Sequence, residues 1–318
     1  MTAAEERLAW LQSRQSGLGG SDLGQIPSIV LAAGGDPAVD CSRWGGEWEV
    51  WHSKIHPITL DDAERDLKKV KAEISPQTMG HALESWVIDW ACESKGIELV
   101  SDTQMTGLIA EFDNGSRSIR CSPDALGYYA EPGNSGALVG IEAKTSQDAP
   151  WDEVPFSYRL QAYSYMIAFG CSDVNIAACF TRHGVSGRIY HIQADWSLLV
   201  EIEAAADAWW QRHIIEGIAP KVDDTPRCSQ ELKRMHPRVK GADESGMRIA
   251  SDDEVLLAAE IVRGQDVVKM VESDIKTHKN ALRRSIGDAP GVRWGGGKAH
   301  WTAGGSLKIT HYEIEDEA

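Results

Sequence analysis

The 318-residue chain is 42% hydrophobic and 25% charged, which excludes a disordered segment and leaves length for one large domain, or one domain with an appendage. A formal net charge of −16 argues against a module that only coats nucleic acid, and much less against an enzyme that needs acidic ligands. Six scattered cysteines without a CxxC pair exclude zinc-ribbon and thioredoxin-like readings and fit the reduced thiols of a cytoplasmic protein; MTAAEERLAW is no secretory signal, and no 18-residue uncharged apolar run points to a membrane.

In chain order, residues 2–13 read as a short helix. Gly17-Leu18-Gly19-Gly20-Ser21-Asp22 is a glycine-rich turn in which Ser21 or Asp22 caps a short helix reaching about Ile26. Gly34-Gly35-Asp36-Pro37 is a loop. Residues 45–55 read as a helix with Trp48, Trp51 and Ile55 on one face, and the charge-rich 62–73 as a solvated helix or loop. Pro76 opens the strongest helix of this half, with Met79, Leu83, Trp86, Val87, Trp90 and Ala91 as its apolar stripe and Gly96 as its end.

Strands are expected at 97–105, 117–122, 124–130 and 138–144, the last two joined by a turn at Gly133-Asn134-Ser135-Gly136. A helix from Pro155 to Phe169, a hairpin of 173–182 and 186–193, and a helix from Trp196 to Glu216 follow. The alternation predicts an α/β (α+β) domain over 1–219, a central mixed β-sheet flanked by helices. Pro220, Pro226 and Pro237 make 220–250 a linker. Residues 251–318 are a C-terminal extension, with one helix over 252–285, a β-hairpin through Val292-Arg293-Trp294 and His300-Trp301-Thr302, and an acidic tail at Glu313–Glu317. Most of the twelve tryptophans belong to cores; Trp294 and Trp301 are the candidates for stacking on bases.

The chemistry concentrates in Cys121-Ser122-Pro123-Asp124 and, eighteen residues on, Glu142-Ala143-Lys144. Glu142 and Lys144, two apart on a strand, point to one face, and pairing through the turn brings Asp124 within reach of Glu142. Two carboxylates and an ammonium are costly to crowd into a fold unless something offsets the charge; a divalent metal and a phosphate do so. Asp124 and Glu142 are hard oxygen ligands suited to one or two Mg²⁺ or Mn²⁺ ions that keep several waters, with the Ala143 carbonyl as a third ligand. Lys144 would then stabilise charge at a scissile phosphate. An exposed Glu/Lys pair is the plain alternative for Glu-x-Lys alone; Ser-Pro-Asp upstream tips the balance.

Glu84, four residues after Gly80, is a candidate third carboxylate. Gln161 is placed to bond the attacking water or a phosphate, and Tyr158 to touch a DNA backbone. Arg14 and Ser21 flank the glycine turn, where a helix N-terminus and an Arg make an anion site. The turn matches neither the P-loop nor the dinucleotide pattern, so a terminal phosphate fits better than ATP.

In this order and spacing, Arg14…Gly17-Leu18-Gly19-Gly20-Ser21-Asp22, Gly80…Glu84, Ser122-Pro123-Asp124, Glu142-Ala143-Lys144 and Tyr158…Gln161 resemble the YqaJ-type phage recombination nucleases, relatives of lambda exonuclease in the PD-(D/E)xK superfamily. The resemblance covers about residues 10–215. It implies a restriction-endonuclease-like core and a 5′→3′ exonuclease on double-stranded DNA ends, leaving 3′ overhangs for a single-strand annealing protein in the cytoplasm of a bacterial host. It implies Asp124 and Glu142 as metal ligands, Lys144 as catalytic, Gln161 and Glu84 as supporting, and Arg14, Ser21 and Ser122 as holders of the 5′-phosphate. It also implies a homo-oligomer, a ring-shaped trimer. Thr145–Trp151 departs from it, with no Arg in the stretch after Lys144, and the extension lies outside it. The rival readings are an endonuclease on the same core and a non-catalytic DNA-binding scaffold.

Overall fold

The computed structural model describes residues 2–42, 45–72, 76–101, 118–130, 136–182, 184–193, 195–237 and 246–311. The turn at 133–135, residues 102–105 and 117 of the expected strands, and the acidic tail lie outside them. Of the strand expected at 97–105 only Ile97–Leu99 pairs in the sheet, and the described residues 118–122 form no strand, Ile119 making an isolated bridge to Leu18. The chain forms two compact units, residues 1–238 and 239–318.

The first unit is built on a five-stranded sheet of β1 (Ile97–Leu99), β2 (Ala125–Tyr129), β3 (Leu138–Ser146), β4 (Asp173–Phe180) and β5 (Ser186–Gln193), in that spatial order. Only β3 and β4 are parallel; the other neighbours are antiparallel. A parallel pair needs a crossover, and Phe156–Phe169 supplies it as a helix ended by Gly170 at φ +65°, a left-handed cap that glycine adopts without strain. All eight residues of β4 are buried, as a strand covered on both faces must be.

Ahead of the sheet the helices are α1 (Ala3–Ser13), α2 (Gly20–Leu23), α3 (Pro27–Ala32), α4 (Pro37–Asp40), α5 (Glu47–Ile55), α6 (Leu60–Ala72) and α7 (Pro76–Lys95). The crossover helix is α8, and α9 (Trp196–Trp210) continues as one π-helical turn to Ile215. The charge-rich stretch is thus helical as far as Ala72.

Helix α7 packs on one face of the sheet through Val87, Ile88 and Ala91 against Ala125, Val139 and Ile141. The stripe runs along the Leu83–Val87–Ala91 row; Met79 and Trp86 of the expected stripe are exposed. Trp86 lies about 100° round the helix from the buried Val87, off the packed face, and Met79 stands in the first turn, ahead of the residues that meet the sheet. On the other face, α8 lays Leu160 and Met166 with Tyr165 against Leu126, Val174 and Ile176, and α3 and α9 close over it. Each fully buried Ile or Leu here contributes about 2 kcal/mol of transfer free energy.

The stretch read as a linker contains α10 (Pro226–Met235), which packs on α5. Thr225 caps it and Pro226 is its first residue, a start signal that a count of prolines alone obscures. The second unit is α11 (Asp252–Ile286) with a three-stranded antiparallel sheet of β6 (Gly291–Trp294), β7 (Gly297–Trp301) and β8 (Leu307–His311). The third strand was not legible as part of the expected hairpin. Leu282 and Ile286 pack on Val292, Ala299, Trp301 and Leu307 as its small core. Among the described residues no helix is long and apolar enough to cross a membrane.

Candidate active site

Strand β3 divides its side chains by parity. Val139 and Ile141 enter the α7 core, so Gly140, Glu142 and Lys144 face α8. Glu142 is 1% exposed. One of its oxygens accepts from the Lys144 ammonium and the other from the Tyr165 hydroxyl. Gln161 closes the ring: its Oε1 accepts from Lys144 Nζ at 3.0 Å and its Nε2 donates to the Tyr165 hydroxyl at 3.2 Å. Gln161 and Tyr165 meet because they lie four apart on α8. The Lys144 ammonium also stands 4.8 Å from the centre of the Tyr158 ring.

Burial would depress the Lys144 pKa, but the charge of Glu142 and its hydrogen bond outweigh that and hold it above its ordinary value. Lys144 is therefore an ammonium at neutral pH, a donor and not a base. Burial, with the charges of Glu142 and Asp124, pushes the Tyr165 hydroxyl well above the usual tyrosine range, so it stays a donor to Glu142.

Asp124 sits one residue before β2, which pairs Ala125 with Ile141 in antiparallel register. Its Oδ2 accepts from the Ala143 N–H at 2.8 Å, past the end of that pairing. Because the N–H and C=O of one strand residue project to the same side, the Ala143 carbonyl points to the edge where Asp124 lies. Burial first, and then the charge of Glu142, raise the Asp124 pKa to about 7; the Ala143 N–H and Lys144 oppose the rise, and Glu84 adds to it. This is the electrostatic signature of two carboxylates crowded in a largely buried place. The donors available are all oxygens, a set that suits a hard divalent cation. Among the described residues no group of three His, Cys, Asp or Glu side chains has metal-holding geometry.

One cleft of about 500 Å³ joins this ring to the glycine turn, lined by Arg14, Ser21, Lys144, Tyr158, Gln161 and Arg227. The turn is tied to the strand side by Leu18, whose N–H donates to Ser118 at 2.6 Å and whose carbonyl accepts from Arg120 at 2.7 Å. Gly20 lets α2 lie directly on α8: a Cβ there would stand 2.6 Å from Ser164 Oγ and 3.0 Å from Gln161 Cγ. Lys54 braces the Arg14 end, donating to the Arg14 carbonyl at 3.0 Å and pairing with the largely buried Asp22 at 2.7 Å. Asp22 in turn accepts from the Gly19 N–H at 2.7 Å.

Of the residues expected from sequence, the cleft thus gathers Arg14, Ser21, Lys144, Tyr158 and Gln161, with Glu142 bonded to Lys144 and Asp124 bonded beside it to Ala143. Glu84 lies on α7 within electrostatic reach of Asp124, half-exposed and 3.4 Å from His81. Ser122 is exposed and outside the cleft lining. Two residues escaped sequence reasoning. Tyr165 falls by spacing on the same side of its helix as Tyr158 and Gln161, yet the spacing assigns it no role. Arg227 sat in the supposed linker; it pairs with Glu49 at 3.1 Å.

No family model matches the chain, and no curated protein does. Among solved structures it is similar to the alkaline exonuclease LHK-Exo from Laribacter hongkongensis, at 13% identity and a TM-score of 0.43, over 73% of this chain and 99% of that one. LHK-Exo in complex with dAMP gives 14% identity and a TM-score of 0.38, over 71% and 96%. SSO0001 gives 12% and 0.31, over 66% and 84%.

Proposed function

We propose that this chain is a divalent-metal-dependent deoxyribonuclease that degrades linear duplex DNA from its 5′ ends and leaves 3′ single strands for an annealing partner. The observation that carries this reading is the buried Glu142–Lys144–Gln161–Tyr165 ring, which opens into the same cleft as Arg14 and Ser21. A structural ion pair has no need of a second basic anchor across a cleft. Asp124 and Glu142, with the Ala143 carbonyl, would hold Mg²⁺ or Mn²⁺, which when bound supplies an activated water and a polarised phosphoryl oxygen.

The chain's own residues do the rest. Tyr165 and Lys144 fix both oxygens of Glu142, so its orientation is set before substrate arrives. Lys144 presents an ammonium to a phosphate oxygen, where charge grows as water attacks. Gln161 keeps Lys144 aimed, and its amide lies within reach of the same phosphate. Arg14, braced by Lys54, and Ser21 hold a terminal phosphate, which sets the distance from the end to the bond that is cut.

The test is degradation of linear duplex labelled at each end in turn, beside a covalently closed plasmid, with Mg²⁺. Loss of the 5′ label first and an intact closed circle are expected. Cutting of the closed circle makes it an endonuclease, and no hydrolysis with Mg²⁺ or Mn²⁺ ends the reading. Removing the 5′-phosphate should slow the wild type about tenfold, the worth of a charge-assisted contact. Arg14→Ala should bring phosphorylated and hydroxyl ends to one slow rate; if the variant still distinguishes them, Arg14 is not the anchor.

A further inference from the structure

Between residues 276 and 308 the chain carries seven Lys or Arg and a single acid, Asp288, although the whole protein stands at −16. Part of that charge is laid out by the small sheet of the second unit. Val292, Ala299, Trp301 and Leu307 pack on α11, so the alternating positions form the opposite face. That face holds Arg293, Lys298, His300 and Lys308. The register sets Arg293 directly opposite Lys298, and His300 directly opposite Lys308.

Like charges in opposed ladder positions destabilise a sheet, and among the described residues none of Arg293, Lys298 and Lys308 is in an ion pair. A three-strand sheet with so small a core has little stability to spare for repulsion. Trp294, 42% exposed, shares the parity of Val292 and so lies on the other side of the sheet, its ring laid across Gly297, where a Cβ would come within 2.7 Å. Crowded basic side chains on one exposed face are the surface that a phosphate backbone recognises.

We propose that this outer face of β6–β8 is a second DNA-binding surface, on which Arg293, Lys298 and Lys308 neutralise backbone phosphates. The proposal rests on the reading that DNA is the substrate and adds an anchor outside the cleft. The charge complement is local: an acidic protein keeps one basic face for a polyanion.

The experiment uses the full chain with EDTA, so that a labelled duplex is bound without being cut, over a range of salt concentrations. The triple variant Arg293→Ser/Lys298→Ser/Lys308→Ser should bind at least tenfold more weakly. Its log–log slope of affinity against salt should be shallower by about 2 to 3, one lost phosphate contact per base. With Mg²⁺ its kcat should hold while KM rises. Lys298→Arg/Lys308→Arg should keep the wild-type slope. If the triple variant fails to fold by circular dichroism, Lys308→Ser alone, at an exposed site on an edge strand, should lower the slope by about 1. A wild type that degrades linear duplex, with variants of unchanged affinity and slope, overturns this proposal and leaves the nuclease reading standing. A wild type that neither binds nor cuts duplex removes both readings.

Discussion

Lys144→Ala is expected to lower Mg²⁺-dependent hydrolysis of linear duplex by about 10³-fold, the scale on which a single preorganised donor at a developing charge acts. The side chain reaches Glu142, Gln161 and the face of Tyr158 at once, so its loss opens the ring at the corner that meets the cleft. Stability falls as well. Glu142, almost fully buried, keeps only the Tyr165 hydroxyl, and breaking one side of a buried pair costs about 3 kcal/mol. The Lys144 pKa is raised in the folded state, so its contribution is fully present below the ordinary lysine value and is lost as pH rises through the folded one. The loss therefore appears across the neutral range. Lys144→Arg should not rescue activity, because a forked guanidinium does not fit the point between Glu142 and Gln161 that an ammonium fills. Circular dichroism separates lost chemistry from lost fold. A folded Ala variant with more than a tenth of wild-type activity would remove Lys144 from the mechanism.

The site was legible where chemistry is local in sequence. Glu142 and Lys144 share a face because strand side chains alternate, and Ser-Pro-Asp precedes a strand because Pro123 ends what comes before it. Helix limits were legible wherever Pro or Gly mark them, as at Pro76 and Gly170. What stayed hidden depends on contacts that no spacing encodes. Tyr165 reads as a helical neighbour of Gln161, and only the fold brings its hydroxyl to Glu142. Arg227 reads as linker because prolines were counted as breakers, when Thr225-Pro226 starts a helix. Trp86 and Met79 have the periodicity of core residues, yet one lies off the packed face of α7 and the other in its first turn, ahead of the residues that meet the sheet. The mixed sheet follows from alternating helix and strand, but the single parallel pair, β3 with β4, is settled by the crossover of α8 and not by either strand's composition.

The second decisive substitution, at Asp124, has an unusual sign because the carboxyl is buried beside Glu142. Asp124 is held at the end of β2 by the Ala143 N–H, with Glu142 beside it and little water, and its pKa stands at about 7. In the unfolded chain it ionises near the ordinary aspartate value of about 3.9. The folded state therefore binds the proton more tightly. Stability from this group is fully present below about pH 4 and is lost as pH rises through about 7. Asp124→Asn keeps an oxygen for the Ala143 N–H and carries no charge. In EDTA the variant should match the wild type near pH 4 and exceed it by about 2 kcal/mol at pH 8. That is part of a ceiling of roughly 4 kcal/mol, set by how far the folded carboxyl's pKa stands above the unfolded one's. Hydrolysis should be abolished in the same protein. Mg²⁺ should raise the melting temperature of the wild type at pH 8 and leave that of the variant almost unchanged, because only the charged carboxylate gains from a cation. Unfolding measured at both pH values, with and without Mg²⁺, decides it. An Asn variant less stable than wild type at pH 8 in EDTA would show that Asp124 is a structural ion-pair partner and not half of a site strained toward a cation.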